Sequence, residues 1–160
     1  MSVEKIAGDL AQKAETFYWD MDMLRLAVGV MNMAVGFAED DGEQVPGQVR
    51  DSLDDLKAAV LLVQRQARRL ADLAAGPNGG AGGAAQAVRQ IADAASLLQS
   101  DFRILTQVYA VLREAAELQP VPASVAKGIS DFAKLIALAE RSLGALRAEV
   151  GAAHRCGGAG

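Results

Sequence analysis

WDMDMLRLAVGVMNMAVGF, residues 19–37, decides how the rest of this chain is read. Leu24, Val28, Met31 and Val35 recur at alternating steps of four and three, the signature of one helical face. A second set, Trp19, Met23, Leu26, Val30, Met33 and Phe37, keeps the same rhythm two positions away. Two residues turn a helix by about 200°, so the two stripes lie on opposite sides. A helix that is apolar all round must be covered all round. One stripe can face the chain's own core. The other needs more of this chain, another copy, a partner or a ligand.

The stripe also carries an echo. Ala27-Val28-Gly29-Val30 returns seven residues on as Ala34-Val35-Gly36-Phe37, which places Gly29 and Gly36 on nearly one line. Each glycine costs about 1 kcal/mol relative to alanine inside a helix, so two in register suggest a backbone that something approaches closely. Met21, Met23, Met31 and Met33 fit irregular core packing, an adaptable contact surface or a soft-metal site, the last disfavoured because no His or Cys lies in the segment.

Working outward, the inner stripe extends back through Val3, Ala7, Leu10, Ala14, Phe17 and Met21. This predicts a first helix over about 3–39, some 55 Å long, with Ser2 as a candidate N-cap. Asp40-Asp41-Gly42-Glu43 ends it, and Pro46 bars continuation. A second helix is predicted over 47–75, with Val49, Leu53, Leu56, Val60, Val63, Ala67 and Leu70 on one line. Gly76 to Gly83 reads as a flexible linker. A third helix over 84–118 carries Val88, Ile91, Ala95, Leu98, Phe102, Leu105, Tyr109 and Leu112. After Gln119-Pro120-Val121-Pro122, a fourth over 124–150 carries Val125, Ile129, Phe132, Ile136, Ala139, Leu143 and Leu146, with Ser124 as its candidate N-cap. Residues 154–160 are expected as a flexible tail of a single domain, 1–153.

Four long helices with short turns predict an all-α, up-down-up-down four-helix bundle. The 3-4 alternation implies coiled-coil-like packing. The chain also carries the marks of a duplicated hairpin. At an offset of 76 residues Val45-Pro46 meets Val121-Pro122, Leu53 meets Ile129 and Val60 meets Ile136. At an offset of 81, Asp20-Met21 meets Asp101-Phe102 and Met31 meets Leu112.

Composition narrows the function. A formal net charge of −4 over 160 residues argues against general nucleic-acid binding, which needs a basic surface. One cysteine, Cys156, allows no internal disulfide and fits a reducing, cytoplasmic setting. The N-terminal residues lack a basic region followed by an apolar run, so no signal peptide is expected. Residues 21–38 are the best candidate for a membrane span, but Asp22, Arg25 and Asn32 interrupt them.

Catalytic chemistry finds no foothold. The only histidine, His154, sits in the tail, which removes a Ser-His-Asp or Cys-His arrangement on a rigid frame. No Glu-x-x-His pair marks a di-iron bundle. His154 and Cys156 alone make a poor metal site, so neither metal nor cofactor is expected. Asp20 and Asp22 point to different sides and form no acid-base pair. Asp20 reads as solvated, and so do Glu39, Asp40, Asp41 and Glu43. Arg65, Arg68 and Arg69 suit the negative end of a helix dipole.

The leading expectation is a non-catalytic bundle acting by protein association. It would homodimerise, or bind another helical protein, through Trp19, Met23, Leu26, Gly29, Val30, Met33, Gly36 and Phe37. A second reading is a ligand-binding or sensory bundle with an apolar pocket lined by Phe17, Trp19, Met23, Met31 and Tyr109. A third is attachment of the amphipathic helices to a lipid or polymer surface.

Overall fold

The computed structural model describes residues 3–76 and 83–158. They form four helices: α1 (Val3–Asp40), α2 (Gly47–Ala75), α3 (Gly83–Leu118) and α4 (Ala123–Gly158). No strand occurs among the described residues. Each helix packs on two others in a ring, α1 on α2 and α4, α3 on α2 and α4. This leaves α1 and α3 on one diagonal and α2 and α4 on the other. Neighbours run antiparallel. Ser142 meets Asp20 while Gly128 meets Met31, and Gln64 meets Asp22 while Arg50 meets Glu39. The chain is the expected four-helix bundle.

The end of α1 is set by local chemistry. The amide of Gly42 donates to Glu39 O at 3.0 Å, and that of Glu43 to Ala38 O at 2.9 Å. Gly42 has φ +83°, the left-handed conformation that glycine adopts without a Cβ penalty. The pair of bonds and the left-handed glycine make a Schellman cap. α2 then starts at Pro46, whose extended backbone (ψ 140°) fills the N-cap position and whose carbonyl accepts from Val49 and Arg50. At α4 the carbonyl of Pro122 accepts from Ala126 in the same way. The two Val-Pro pairs, matched in sequence, thus open the second helix of each half alike. Ser124 is one residue inside α4 rather than its cap, because Pro122 already occupies that role.

The core is the sum of the inner stripes. Phe17, Met21, Leu24, Val28 and Met31 from α1 meet all seven expected residues of α2, together with Leu98, Leu105, Leu112, Phe132, Ala139 and Leu146. Phe17 meets Phe102 edge-on across the diagonal, with ring centroids 5.9 Å apart. Truncating one such buried leucine to alanine costs about 2–5 kcal/mol, so these stripes hold the bundle together.

Two expectations fall partly or wholly outside the described residues: the linker over 76–83, whose last residue, Gly83, already opens α3, and the Ser2 cap. A third is corrected. α4 does not stop near Val150 but continues to Gly158, through most of the segment expected as a flexible tail. Val150 and Ala153 pack against the core, and Arg155 in the last turn complements the helix dipole.

Candidate interaction surface

α1 is held on both flanks. On one side Gln64 of α2 donates its amide to Asp22 Oδ1 at 3.0 Å, and Arg25 grips the same oxygen at 2.9 Å. The Gln64 bond first, then the Arg25 bond, hold the Asp22 carboxyl below the usual carboxylate range. On the other side Ser142 of α4 donates to Asp20 Oδ2. Asp20 is therefore partly buried and partnered rather than simply solvated. Asp20 and Asp22 are 200° apart on the helix, so their two bonds fix α1 about its own axis. That rotation decides what faces outward.

What faces outward is the second stripe. Trp19, Met23, Leu26, Val30, Met33 and Phe37 are each between 51% and 63% exposed. Single exposed apolar residues are ordinary, but six in helical register form a patch of the kind that marks contact sites. Its upper end is supported: Trp19 packs edge-on against Tyr18 at 5.4 Å, and Arg68 of α2 sits over the Tyr18 ring at 5.5 Å.

Small residues border the stripe. Asp20, Ala27 and Ala34 follow one another at steps of seven on the α4 side, and Asp22, Gly29 and Gly36 on the α2 side. A Cβ added at Gly29 or Gly36 would meet nothing within 4 Å. Packing inside the bundle gives no reason for either glycine. The close approach inside the bundle occurs instead at Gly128, where a Cβ would lie 2.7 Å from Met31 Cγ.

The residues proposed to line a ligand pocket are not brought together. Phe17, Met31 and Tyr109 are buried in the core, whereas Trp19 and Met23 are on the outer face. Tyr109 stacks its ring on Phe132 at 5.4 Å and donates its hydroxyl to Ile129 O at 2.6 Å; it also borders a recess of about 320 Å³ between α3 and α4, which none of the other four residues reaches. A surface recess of about 740 Å³ opens between the α1–α2 turn and Gln119-Pro120. It contains none of the five residues.

Other candidates are likewise placed. Glu39, Asp40, Asp41 and Glu43 are exposed, with Glu39 bridging to Arg50 at 3.5 Å. Arg65, Arg68 and Arg69 are exposed on α2, and Arg68 also reaches Asp72 at 3.4 Å. His154 is exposed beside a shallow groove between α3 and α4. Among the described residues no three His, Cys, Asp or Glu side chains are grouped to hold a metal ion. By length and composition, α1 from Ala7 to Asp40 could cross a membrane, though its inner face is packed in the bundle.

Sequence reasoning missed a second outward line. Leu97, Ile104, Val111 and Leu118 of α3, spaced by sevens, are 46% to 71% exposed. The sequence offset of 81 could have found it, since it carries Met23, Val30 and Phe37 onto Ile104, Val111 and Leu118.

No known protein family, curated protein or solved structure matches this chain.

Proposed function

We propose that this chain is a non-catalytic helical bundle that acts by protein association, and that the outward face of α1 docks a second copy. The observation that carries the reading is the solvent exposure of all six stripe residues on a helix already packed and pinned by its neighbours.

Two features favour a second copy. The stripe steps read 4-3-4-3-4, so an antiparallel pairing with its two-fold axis at Val28 sets Trp19 level with Phe37, Met23 with Met33, and Leu26 with Val30. The flanks nearest the axis are then Ala27 and Gly29 of both copies, small enough for close helix contact. A parallel pairing would instead set Glu39, Asp40, Asp41 and Glu43 against their own copies, a like-charge cluster that antiparallel pairing sends to opposite ends. Six half-exposed large side chains offer roughly 600 Å² per chain, and the flanks bring this near the about 800 Å² per partner of a standard interface.

Molar mass in solution tests the reading. The wild type is expected at twice 16.7 kDa, and the Val30→Glu/Met33→Glu variant at the monomer mass with its helix content retained. A variant that remains dimeric overturns the assignment to α1. A monomeric wild type that floats with lipid vesicles would assign the same face to a membrane surface instead.

A further inference from the structure

The repeat that relates the two halves extends from the core to the surface. Core periodicity forces inner residues to match, but it places no demand on outward ones. Yet Met23, Val30 and Phe37 of α1 and Ile104, Val111 and Leu118 of α3 coincide at the same offset, and all six are about half exposed or more. The second helices repeat the pattern. At their offset of 76, Leu62 of α2 matches Leu138 of α4, and both are exposed. The antiparallel registers put Leu138 at the level of Met23 and Leu62 at the level of Ile104. Val111 and Leu118 also line a shallow groove of about 340 Å³ with Gln48, Asp51 and Ser52 of α2. Because α1 and α3 occupy one diagonal of the ring, the two outward lines lie on opposite corners of the bundle.

We infer that the α3 line is a second self-docking face, so that the chain is bivalent and joins α1-paired dimers into larger assemblies through α3. The occupant is another copy of α3. A two-fold axis between Gln107 and Val108 sets Leu97 level with Leu118 and Ile104 level with Val111. In that register Arg103 lies within one helical turn of Glu114 of the other copy, on the same flank of the stripe. Symmetry makes two such ion pairs, so the rim is charge-complementary where the centre is apolar. This face is smaller than that of α1: Ser100, Gln107 and Glu114 stand where α1 has Trp19, Leu26 and Met33. Four large side chains and Leu62 offer roughly 400–500 Å² per chain, in the range of weak, concentration-dependent contacts. Each α1-paired dimer would keep two free α3 faces, so assembly beyond the dimer grows with concentration.

The test is weight-average mass across a concentration series for the wild type, Ile104→Glu/Val111→Glu, and the charge variants Arg103→Glu, Glu114→Arg and their double swap. The wild type is expected to climb past two chains, and Ile104→Glu/Val111→Glu to stop at two. Each single charge variant should reduce growth beyond the dimer at least several-fold, and the double swap should restore it, which no folding defect would produce. A wild type that plateaus at two chains at every concentration overturns the inference and leaves the α1 reading intact. So does a double swap that stays as defective as the single variants. An Ile104→Glu/Val111→Glu variant that becomes monomeric overturns both, because the dimer would then run through α3.

Discussion

Gly128 of α4 and Met31 of α1 meet so closely that a Cβ at position 128 would lie 2.7 Å from Met31 Cγ. Met31 is buried, and its Cγ is not the free end of the side chain, so it has little room to yield. Alanine at this position would gain about 1 kcal/mol of helix propensity but incur overpacking of about 1–3 kcal/mol. Gly128→Ala is therefore expected to lower the urea midpoint. Gly144→Ala is the internal control: nothing stands within 4 Å of a Cβ there, so the same change should stabilise by about 1 kcal/mol. Equal midpoints for the two variants would mean that the α1–α4 seam is looser than described.

Gly29 separates stability from association. Its Cβ position is open in the isolated bundle, so Gly29→Ala should stabilise the fold by about 1 kcal/mol. At an antiparallel α1–α1 seam the same methyl group would stand close to the two-fold axis. Dimer dissociation is then expected to rise about tenfold, a change of about 1.4 kcal/mol. Chemical denaturation of the dilute monomer and a sedimentation isotherm read the two effects independently. Tighter association in Gly29→Ala would remove the glycine from the interface argument.

The Asp22 contact gives an acid-side signature. The folded carboxyl titrates below its ordinary value of 3.8, through the bond from Gln64 first and Arg25 second. A depressed folded value stabilises the protein above the unfolded value, and that stabilisation is lost as pH falls through the folded one. Asp22→Asn should therefore be less stable than the wild type at neutral pH, with the gap closing as pH drops below the ordinary carboxylate range. Unfolding curves at neutral pH and on the acid limb measure the gap. A gap independent of pH would exclude the carboxylate as its source.

How far the sequence reveals this structure depends on which force sets each feature. Helix starts and stops are local: Pro46, Gly42 and the Val-Pro pairs act within a turn, and the observed boundaries fall where those residues place them. Inner stripes follow from periodicity, which is why Leu53, Leu56 and Val60 were legible as core. Features set by the register between helices were not legible. Gly29 and Gly36 attract notice because they repeat along one helix, whereas Gly128 matters because α4 happens to lay it on Met31. The same holds for Asp20, whose partner is 122 positions away. Phe17 and Trp19 share no pocket because two residues turn the helix by about 200°, whereas Met23 and Met31 are only about 80° apart and are separated by the edge of the core, which covers Met31 and leaves Met23 exposed.

Tyr109 supplies the matching alkaline signature. Its ring stacks on Phe132, and its hydroxyl donates to the Ile129 carbonyl at 2.6 Å, tying α3 to α4. Burial pushes the phenol above its ordinary value of 10.0, with Arg113 acting weakly in the opposite direction. For a group whose folded value is raised, the stabilisation is complete below the unfolded value and is lost as pH rises through the folded one. Tyr109→Phe keeps the stack and loses one hydrogen bond, a cost of about 1 kcal/mol at neutral pH. In strong alkali the order should shift. Above its ordinary value the wild-type phenol stays protonated in the fold and ionises once unfolded, so alkali favours unfolding of the wild type through this group, whereas the variant carries no such group. Urea unfolding at neutral pH and on the alkaline side of 10 is expected to show the difference shrinking. If the wild type and Tyr109→Phe lose stability in parallel above that pH, the alkaline limb belongs to other groups, and the Tyr109 hydroxyl acts only through its bond to α4.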